Sequence, residues 1–197
     1  MQMTYDLYFG LAAFAFVSSV TPGPNNLMLM ASGANFGFRR TLPHMLGVAL
    51  GFTFMVGLVG LGLMGLFDLW PPLYTVLKVA SVAYLLYLAW KLANAAPMGD
   101  ASAETHPMSF FQAALFQWVN PKAWAMALTA ISVYAPARDV ASVLVVAAIF
   151  GAINLPTVSS WTVLGQQMRR ILRDQRHMRM FNIGMALLLV GSLALAV

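Results

Sequence analysis

Long apolar runs separated by short polar or Gly/Pro-rich segments occupy almost the whole chain. A helix needs roughly 20 apolar residues to cross the hydrocarbon core of a bilayer, and the runs are long enough for this. The pattern therefore predicts an all-α polytopic membrane protein with six transmembrane helices. The predicted spans are Tyr5 to Ala31, Leu42 to Phe67, Pro72 to Ala93, Phe110 to Tyr134, Val140 to Gly165 and Met178 to Val197.

The composition agrees with a single membrane domain covering residues 1–197. Of these residues, 60% are hydrophobic and 9% are charged, whereas about a quarter of the residues in a soluble domain are charged. Six crossings leave no room for a separate soluble domain. The most polar connection, residues 94–107, is the predicted linker between a first repeat of about residues 5–93 and a second repeat of about residues 108–197.

The basic residues indicate how the chain is oriented. The net charge is +5, and the basic residues cluster between apolar runs, which favours membrane orientation over nucleic-acid binding. Connections rich in Lys and Arg face the cytoplasm. The first and fifth connections are therefore predicted to be cytoplasmic, with both termini periplasmic; a five-span alternative, in which the first segment does not cross fully, puts the N-terminus inside. The arginines of these connections are Arg39, Arg40, Arg169, Arg170, Arg173, Arg176 and Arg179.

Prolines interrupt the first predicted span. Pro22, Gly23 and Pro24 break the helix, and Asn25 and Asn26 follow. Proline removes a backbone N–H, and in lipid the freed carbonyls need partners from protein or water, so such a break favours a lined cavity. The helix that restarts here would point backbone N–H groups and its positive dipole end inwards, which suits a substrate carboxylate.

The fourth predicted span contains a similar break. Asn120 is placed to cap a helix that starts at Pro121, and Lys122 would add a cation. Three spans in each half mean that an internal repeat has inverted topology, an architecture in which broken helices form a transporter site. The fold prediction is thus two inverted three-helix repeats with Pro-broken helices 1 and 4. The alternative is that Pro and Gly are simply common in membrane helices.

Three other residues are candidates for coupling or gating. Lys78 lies about two turns inside the third span, where it can either snorkel to the interface or pair within the bundle. Asn154 and Pro156 interrupt the fifth span, as a gate or only as a bend. No acidic residue lies deep in a predicted span. Proton coupling would therefore need a lysine that releases its proton, or the substrate itself, to carry the proton.

Metal, cofactor and enzymatic chemistry are not expected. His44, His106 and His177 are placed in connections without metal-ligand spacing, and the chain has no cysteine. An intramembrane enzyme needs a nucleophile paired with a base, or a carboxylate dyad, and the predicted spans have no deep histidine or acid. The expected partners are a small substrate, membrane lipid and a proton or other coupling ion. A homodimer would suit so small a bundle.

Several motifs occur in an order that resembles the LysE/RhtB family of bacterial amino-acid exporters over nearly the whole chain. The motifs are TPGPNN at residues 21–26, GANFGFRRTL at 33–42, LKVASVAYLLYLAWK at 77–91, FQWVNPKAW at 116–124 and FNIGMALLLV at 181–190. Their details are most similar to the branch that exports cysteine and O-acetylserine.

The resemblance implies proton-driven efflux of a small neutral amino acid, such as cysteine, O-acetylserine, threonine or homoserine, across the inner membrane. It assigns the two broken segments to the family's hallmark motifs and Lys78 to a recurrent third-span lysine. Asn154 stands where some members have an acidic residue, which argues against a carboxylate proton relay here. The alternatives are an exporter of a different small metabolite and a non-transporting membrane scaffold.

Overall fold

The computed structural model describes residues 5–63, 69–95, 106–135, 139–172 and 174–194. All regular secondary structure within these ranges is helical. A π-helical turn, Val59–Leu63, continues α3, and a 3₁₀ turn, Gln117–Val119, follows α5. The helices are α1 Tyr5–Val20, α2 Pro24–Phe36, α3 Phe38–Leu58, α4 Pro72–Ala93, α5 Phe110–Phe116, α6 Pro121–Tyr134, α7 Val140–Ile171 and α8 Gln175–Ala194.

Both predicted helix breaks are confirmed. The axes of α1 and α2 differ by 54° across the break, and α2 begins with Pro24 in its first turn. In the second half, α5 ends in the 3₁₀ turn, and α6 begins at Pro121 after the cap residue Asn120. Proline at the first helical position loses no intrahelical hydrogen bond, so each proline can start a helix as well as end one.

The helices include enough long apolar segments for a multi-pass membrane protein. By length and composition, three described helical segments can cross a bilayer, Phe38–Leu63, Thr75–Ala93 and Val140–Arg169, and the bent pair α1–α2 is a fourth if it forms one span. In the second half, Phe110–Val119 is apolar but shorter than a membrane span. Six spans arranged as inverted repeats remain a prediction.

One connection and one helix differ from the sequence predictions. The first connection is a single residue, Gly37, whose φ of 80° lies in the left-handed region that glycine adopts without strain. Arg39 and Arg40 therefore lie in the first turn of α3 rather than in a loop. The helix α7 continues through Pro156 without the predicted interruption, because membrane helices tolerate a proline whose freed carbonyl finds another partner. The central part of the predicted linker, residues 96–105, lies outside the described residues.

The long helix α7 is the centre of the bundle, packing against α1, α2 and α3. A Cβ atom on Gly33 of α2 would collide with the carbonyl oxygen of Thr162 of α7, and one on Gly165 would collide with the carbonyl oxygen of Met30. The two backbones therefore touch directly, as small residues allow in membrane helices. This contact fixes α2, which carries the first helix break, against the core.

The basic connections lie at one end of the bundle. Arg39 and Arg40 of α3 line the same surface cavity as Arg169 of α7. The backbone N–H of Phe38 donates to Oε1 of Gln166 at 2.7 Å, which ties the start of α3 to the end of α7. The two connections that the sequence predicts to be cytoplasmic are thus neighbours, as that prediction requires.

Candidate functional site

The break between α1 and α2 has its own set of hydrogen bonds. Because Pro22 and Pro24 have no N–H, the carbonyls of Ser18 and Val20 lose their helical donors. Thr21 Oγ1 donates to the Ser18 carbonyl at 3.0 Å, and the indole Nε1 of Trp161 donates to the Val20 carbonyl at 3.3 Å. Side chains therefore replace the missing backbone donors.

Asn26 stabilises the same turn from inside. Its side chain is buried, and Nδ2 donates to the carbonyls of Ser19 at 2.7 Å and Thr21 at 2.8 Å. The Asn26 amide thus fixes the angle between α1 and α2. Asn26 therefore lies at the break with its Nδ2 bound to backbone carbonyls, and its predicted role in substrate binding stays a prediction.

Lys122 reaches across from α6 to the same turn. Its Nζ donates to the carbonyl of Thr21 at 2.7 Å, to Thr21 Oγ1 at 2.9 Å and to the carbonyl of Pro22 at 3.3 Å. Asn120 caps α6, because its Oδ1 accepts from the Lys122 N–H at 3.1 Å. The Asn120 cap fixes the start of α6, and the Lys122 side chain extends from there to the first break. The two predicted helix breaks are therefore in contact.

Gly23 leaves room for that lysine. Its φ of −176° is extended backbone that any residue can adopt, so the need for glycine here is steric. A Cβ atom at this position would lie 2.6 Å from Cδ and 3.2 Å from Nζ of Lys122. A side chain at residue 23 would push the ammonium group away from the break.

Asn25 and Gln117 form a second link between the breaks. Asn25 Nδ2 donates to Gln117 Oε1 at 2.8 Å, and Gln117 Nε2 donates back to Asn25 Oδ1 at 3.2 Å and to the carbonyl of Ala113 at 2.9 Å. Gln117 is fully buried. Gln117 is not among the predicted site residues, although a glutamine within the apolar FQWVNPKAW motif indicates a polar contact.

Asn154 joins the cluster from α7. Its Nδ2 donates to Ser19 Oγ at 3.1 Å, and its Oδ1 is buried with no hydrogen-bond partner among the described residues. Pro156 lies on the same helix with an exposed side chain, and Lys78 is exposed on α4. Neither belongs to the described residues that line the cavity between the breaks.

This cavity is small and polar. Its volume of about 20 Å³ gives room for about one water molecule, so an amino acid fits only after the helices separate. Among the described lining residues Lys122 is the charged one, and its partners are neutral carbonyls and a hydroxyl. The lining residues are Ser18, Ser19, Gly23, Asn25, Asn26, Phe52, Asn120, Lys122, Ala123, Met126, Asn154 and Val158.

Comparison with known proteins gives a family match over most of the chain. The model of a family described as LysE type translocator matches residues 16–196. The cysteine/O-acetylserine efflux proteins of Escherichia coli strain K12 and Shigella sonnei strain Ss046 are each 30% identical over 190 residues, which is 95% of this chain and 96% of each relative. No solved structure matches.

Proposed function

The chain belongs to the LysE type translocator family, and from this premise we propose that it exports small neutral amino acids across the bacterial inner membrane, with cysteine and O-acetylserine as the first candidates. It is a transporter and not an enzyme. The observation that supports a site most directly is Lys122 Nζ, held at the broken start of α2 by neutral oxygen atoms.

A substrate carboxylate would bind where the lysine and the helix start meet. The first N–H groups of a helix have no intrahelical acceptor, and the positive dipole end of α2 adds to the attraction for an anion. A carboxylate accepts a stronger hydrogen bond from an ammonium group than a neutral carbonyl does. Binding would therefore transfer Lys122 Nζ from the Thr21 carbonyl to the substrate, and would separate Asn25 from Gln117.

Helix packing supports the proposed inverted repeats. In the two halves α3 corresponds to α7, and α4 corresponds to α8; both corresponding pairs pack against each other. The broken segments α1–α2 and α5–α6 also meet, through Lys122 and Thr21. Contacts between equivalent helices are what a two-fold axis between the halves would produce. We therefore keep repeats of about 5–93 and 108–197 as part of the proposal.

Orientation and energy coupling complete the proposal. The end that carries Arg39, Arg40 and Arg169 faces the cytoplasm by the positive-inside rule, with both termini periplasmic. A proton gradient drives export, and because no described carboxylate lines the cavity, Lys122 or the substrate is the proton carrier. Lys78 stays a coupling candidate, and Asn154 and Pro156 stay gating candidates.

The test is efflux of preloaded labelled substrate from cells with and without the protein. Cysteine, O-acetylserine, threonine and homoserine are compared, with and without collapse of the proton gradient. We expect faster efflux of cysteine and O-acetylserine, and a loss of at least about tenfold, equivalent to ~1.4 kcal/mol, in Lys122→Gln at equal membrane level. Arg176→Gln, an exposed change on α8, is the control and should leave efflux unchanged.

The opposite result would be equally informative. If the protein is in the membrane and none of the four amino acids leaves the cell faster, the proposed function is wrong, and a different metabolite or a scaffold role takes its place. If efflux is faster but Lys122→Gln matches the wild type, the family function stands and the proposed carboxylate site is wrong.

A further inference from the structure

A second, larger cavity lies at the other end of α2. It has a volume of about 200 Å³ and is lined by residues of α2, α3, the end of α4, residues 94–95 and residues 106–108. In the described part of the chain it has no lining residue in common with the cavity at the helix breaks. Phe36 lines both this cavity and the arginine-lined surface cavity, so the second cavity adjoins the basic end of the bundle.

His44 is the unusual residue of this cavity. The prediction that it lies in a connection is wrong, because it lies within α3 and is only 2% exposed. Neither ring nitrogen has a hydrogen-bond partner within the described ranges. An imidazole always carries at least one N–H donor, and burying it without a partner costs stability. Because His44 lines the cavity, a bound ligand can supply the missing partner.

The other lining groups indicate the chemistry of that ligand. Lys91 supplies a cation, whereas the Asn35 amide is paired with Asn182 and Asn94 Nδ2 donates to the carbonyl of Trp90. No described carboxylate lines the cavity, so the lining favours an anionic or strongly accepting group. Met28 and Leu88 provide an apolar wall, which suits a short aliphatic or sulfur-containing side chain. The combination fits a small neutral amino acid whose carboxylate faces the lysine.

We propose that this cavity is an entry site, in which the exported amino acid binds before it reaches the helix breaks. The proposal rests on the proposed function. His44 and Lys91 hold the carboxylate, and the substrate side chain packs against Met28 and Leu88. Asn25 at the first cavity and Ser32 at the second lie on one helix, about 10 Å apart at a rise of about 1.5 Å per residue, so α2 is a wall of both sites.

The chain offers a clean way to detect occupancy, because it has no cysteine. Ala95→Cys places one thiol in the lining of the cavity, and its reaction with a maleimide is followed in purified protein. O-acetylserine is the probe, since it has no thiol to consume the reagent. We expect it to slow labelling of Ala95→Cys with a saturable dependence, and to leave the exposed control Gln175→Cys unchanged.

His44→Leu then separates a ligand-binding role from a packing role. It removes buried polar atoms that have no described partner, so the unfolding midpoint should not fall. In the Ala95→Cys background we expect the O-acetylserine concentration for half-protection to rise at least about tenfold, ~1.4 kcal/mol. Lys91→Gln changes an exposed side chain and should not disturb packing. It should also raise the O-acetylserine concentration for half-protection, whereas Arg176→Gln should leave this concentration unchanged.

The outcomes distinguish the entry site from the proposed function. Protection of Ala95→Cys that persists in Lys122→Gln supports a separate site, and protection lost in Lys122→Gln overturns it. Export without protection, or protection unchanged in both His44→Leu and Lys91→Gln, also overturns the entry site and leaves the exporter function standing. Protection without export of any tested amino acid supports the binding site and overturns the exporter function.

Discussion

Lys122 Nζ lies 2.7 Å from the carbonyl oxygen of Thr21, although 101 residues separate them in the chain. The contact brings a cation from the second helix break to the backbone left free by the first. Because the ammonium group is held by neutral acceptors, a substrate carboxylate can compete for it. The contact between Lys122 and Thr21 also depends on the space that Gly23 leaves for the lysine side chain.

Gly23→Ala should impair export without unfolding the protein. The extended backbone at residue 23 accepts alanine, but the new Cβ would lie 2.6 Å from Lys122 Cδ and would displace the ammonium group. We expect efflux of O-acetylserine to fall by about tenfold, ~1.4 kcal/mol in transition-state free energy. Gly184→Ala is the matched control, because a Cβ there meets nothing within 4 Å. Equal efflux in both variants would contradict the steric role of Gly23.

Asn25 and Gln117 should be energetically coupled. Their side chains exchange two hydrogen bonds, at 2.8 and 3.2 Å, so removing either one leaves the other with unsatisfied groups. A double-mutant cycle of Asn25→Ala and Gln117→Ala should give a coupling free energy of about 0.5–3 kcal/mol. The measurement is the free energy of unfolding in detergent. Strictly additive effects would mean that the pair does not hold the two breaks together.

Asn154→Asp should weaken substrate binding. The change replaces a buried amide, whose Oδ1 has no partner in the described ranges, with a carboxylate in the cavity that Lys122 also lines. The new carboxylate would compete with that of the substrate for the ammonium group. We expect KM for export to rise at least about fivefold, ~1 kcal/mol. Gln175→Glu, which adds a charge on the exposed start of α8, is the control; the same KM in both would argue against competition at Lys122.

Asp139 should make stability depend on pH below about pH 4. It caps α7 outside the membrane-spanning segment, and the Ser142 hydroxyl and N–H hydrogen bonds hold the pKa of its carboxyl below the usual value. A lowered folded-state pKa means that the stabilisation is complete above the unfolded pKa and is lost as pH falls through the folded pKa.

Asp139→Ala measures this effect. The variant should unfold more readily than the wild type at pH 6–7, and the difference should shrink as pH falls from the unfolded-state pKa of about 4 towards the lower pKa of the folded carboxyl, where the wild type also loses its ionised cap. Thermal unfolding in detergent across this range is the measurement. A difference that stays constant down to pH 3 would show that the cap does not act through its charge.

The sequence predicts the helix breaks well because proline acts locally. Pro22, Pro24 and Pro121 each remove an N–H whatever surrounds them, and Asn120 caps the helix that follows it. The consequences of long-range packing are harder to predict. His44 lies only two residues inside the predicted second span, and its burial depends on the packing of α2 and α4 against α3. Pro156 lies inside a continuous helix, so a proline in the sequence does not by itself show whether a helix ends there or only bends.

The hydrogen-bond partner of Gln117 could not be predicted from the sequence. A glutamine in an apolar segment indicates some polar contact, but its partner, Asn25, is 92 residues away. The pairing depends on how the two halves dock. Individual polar residues in the spans can therefore be selected from the sequence, whereas the partner of each one requires the fold.

Two close backbone contacts, Gly33 with Thr162 and Gly165 with Met30, hold α2 against α7 near its C-terminal end. They give α2 a pivot point at this position. The longer part of α2, on the N-terminal side of these contacts, carries Pro24 to Asn26. The shorter part, on the C-terminal side, ends at Gly37. If α2 tilts about this point, its two ends move in opposite directions. Opening the space at the helix breaks would then narrow the space at the basic end, so one rotation would close one cavity as it opens the other.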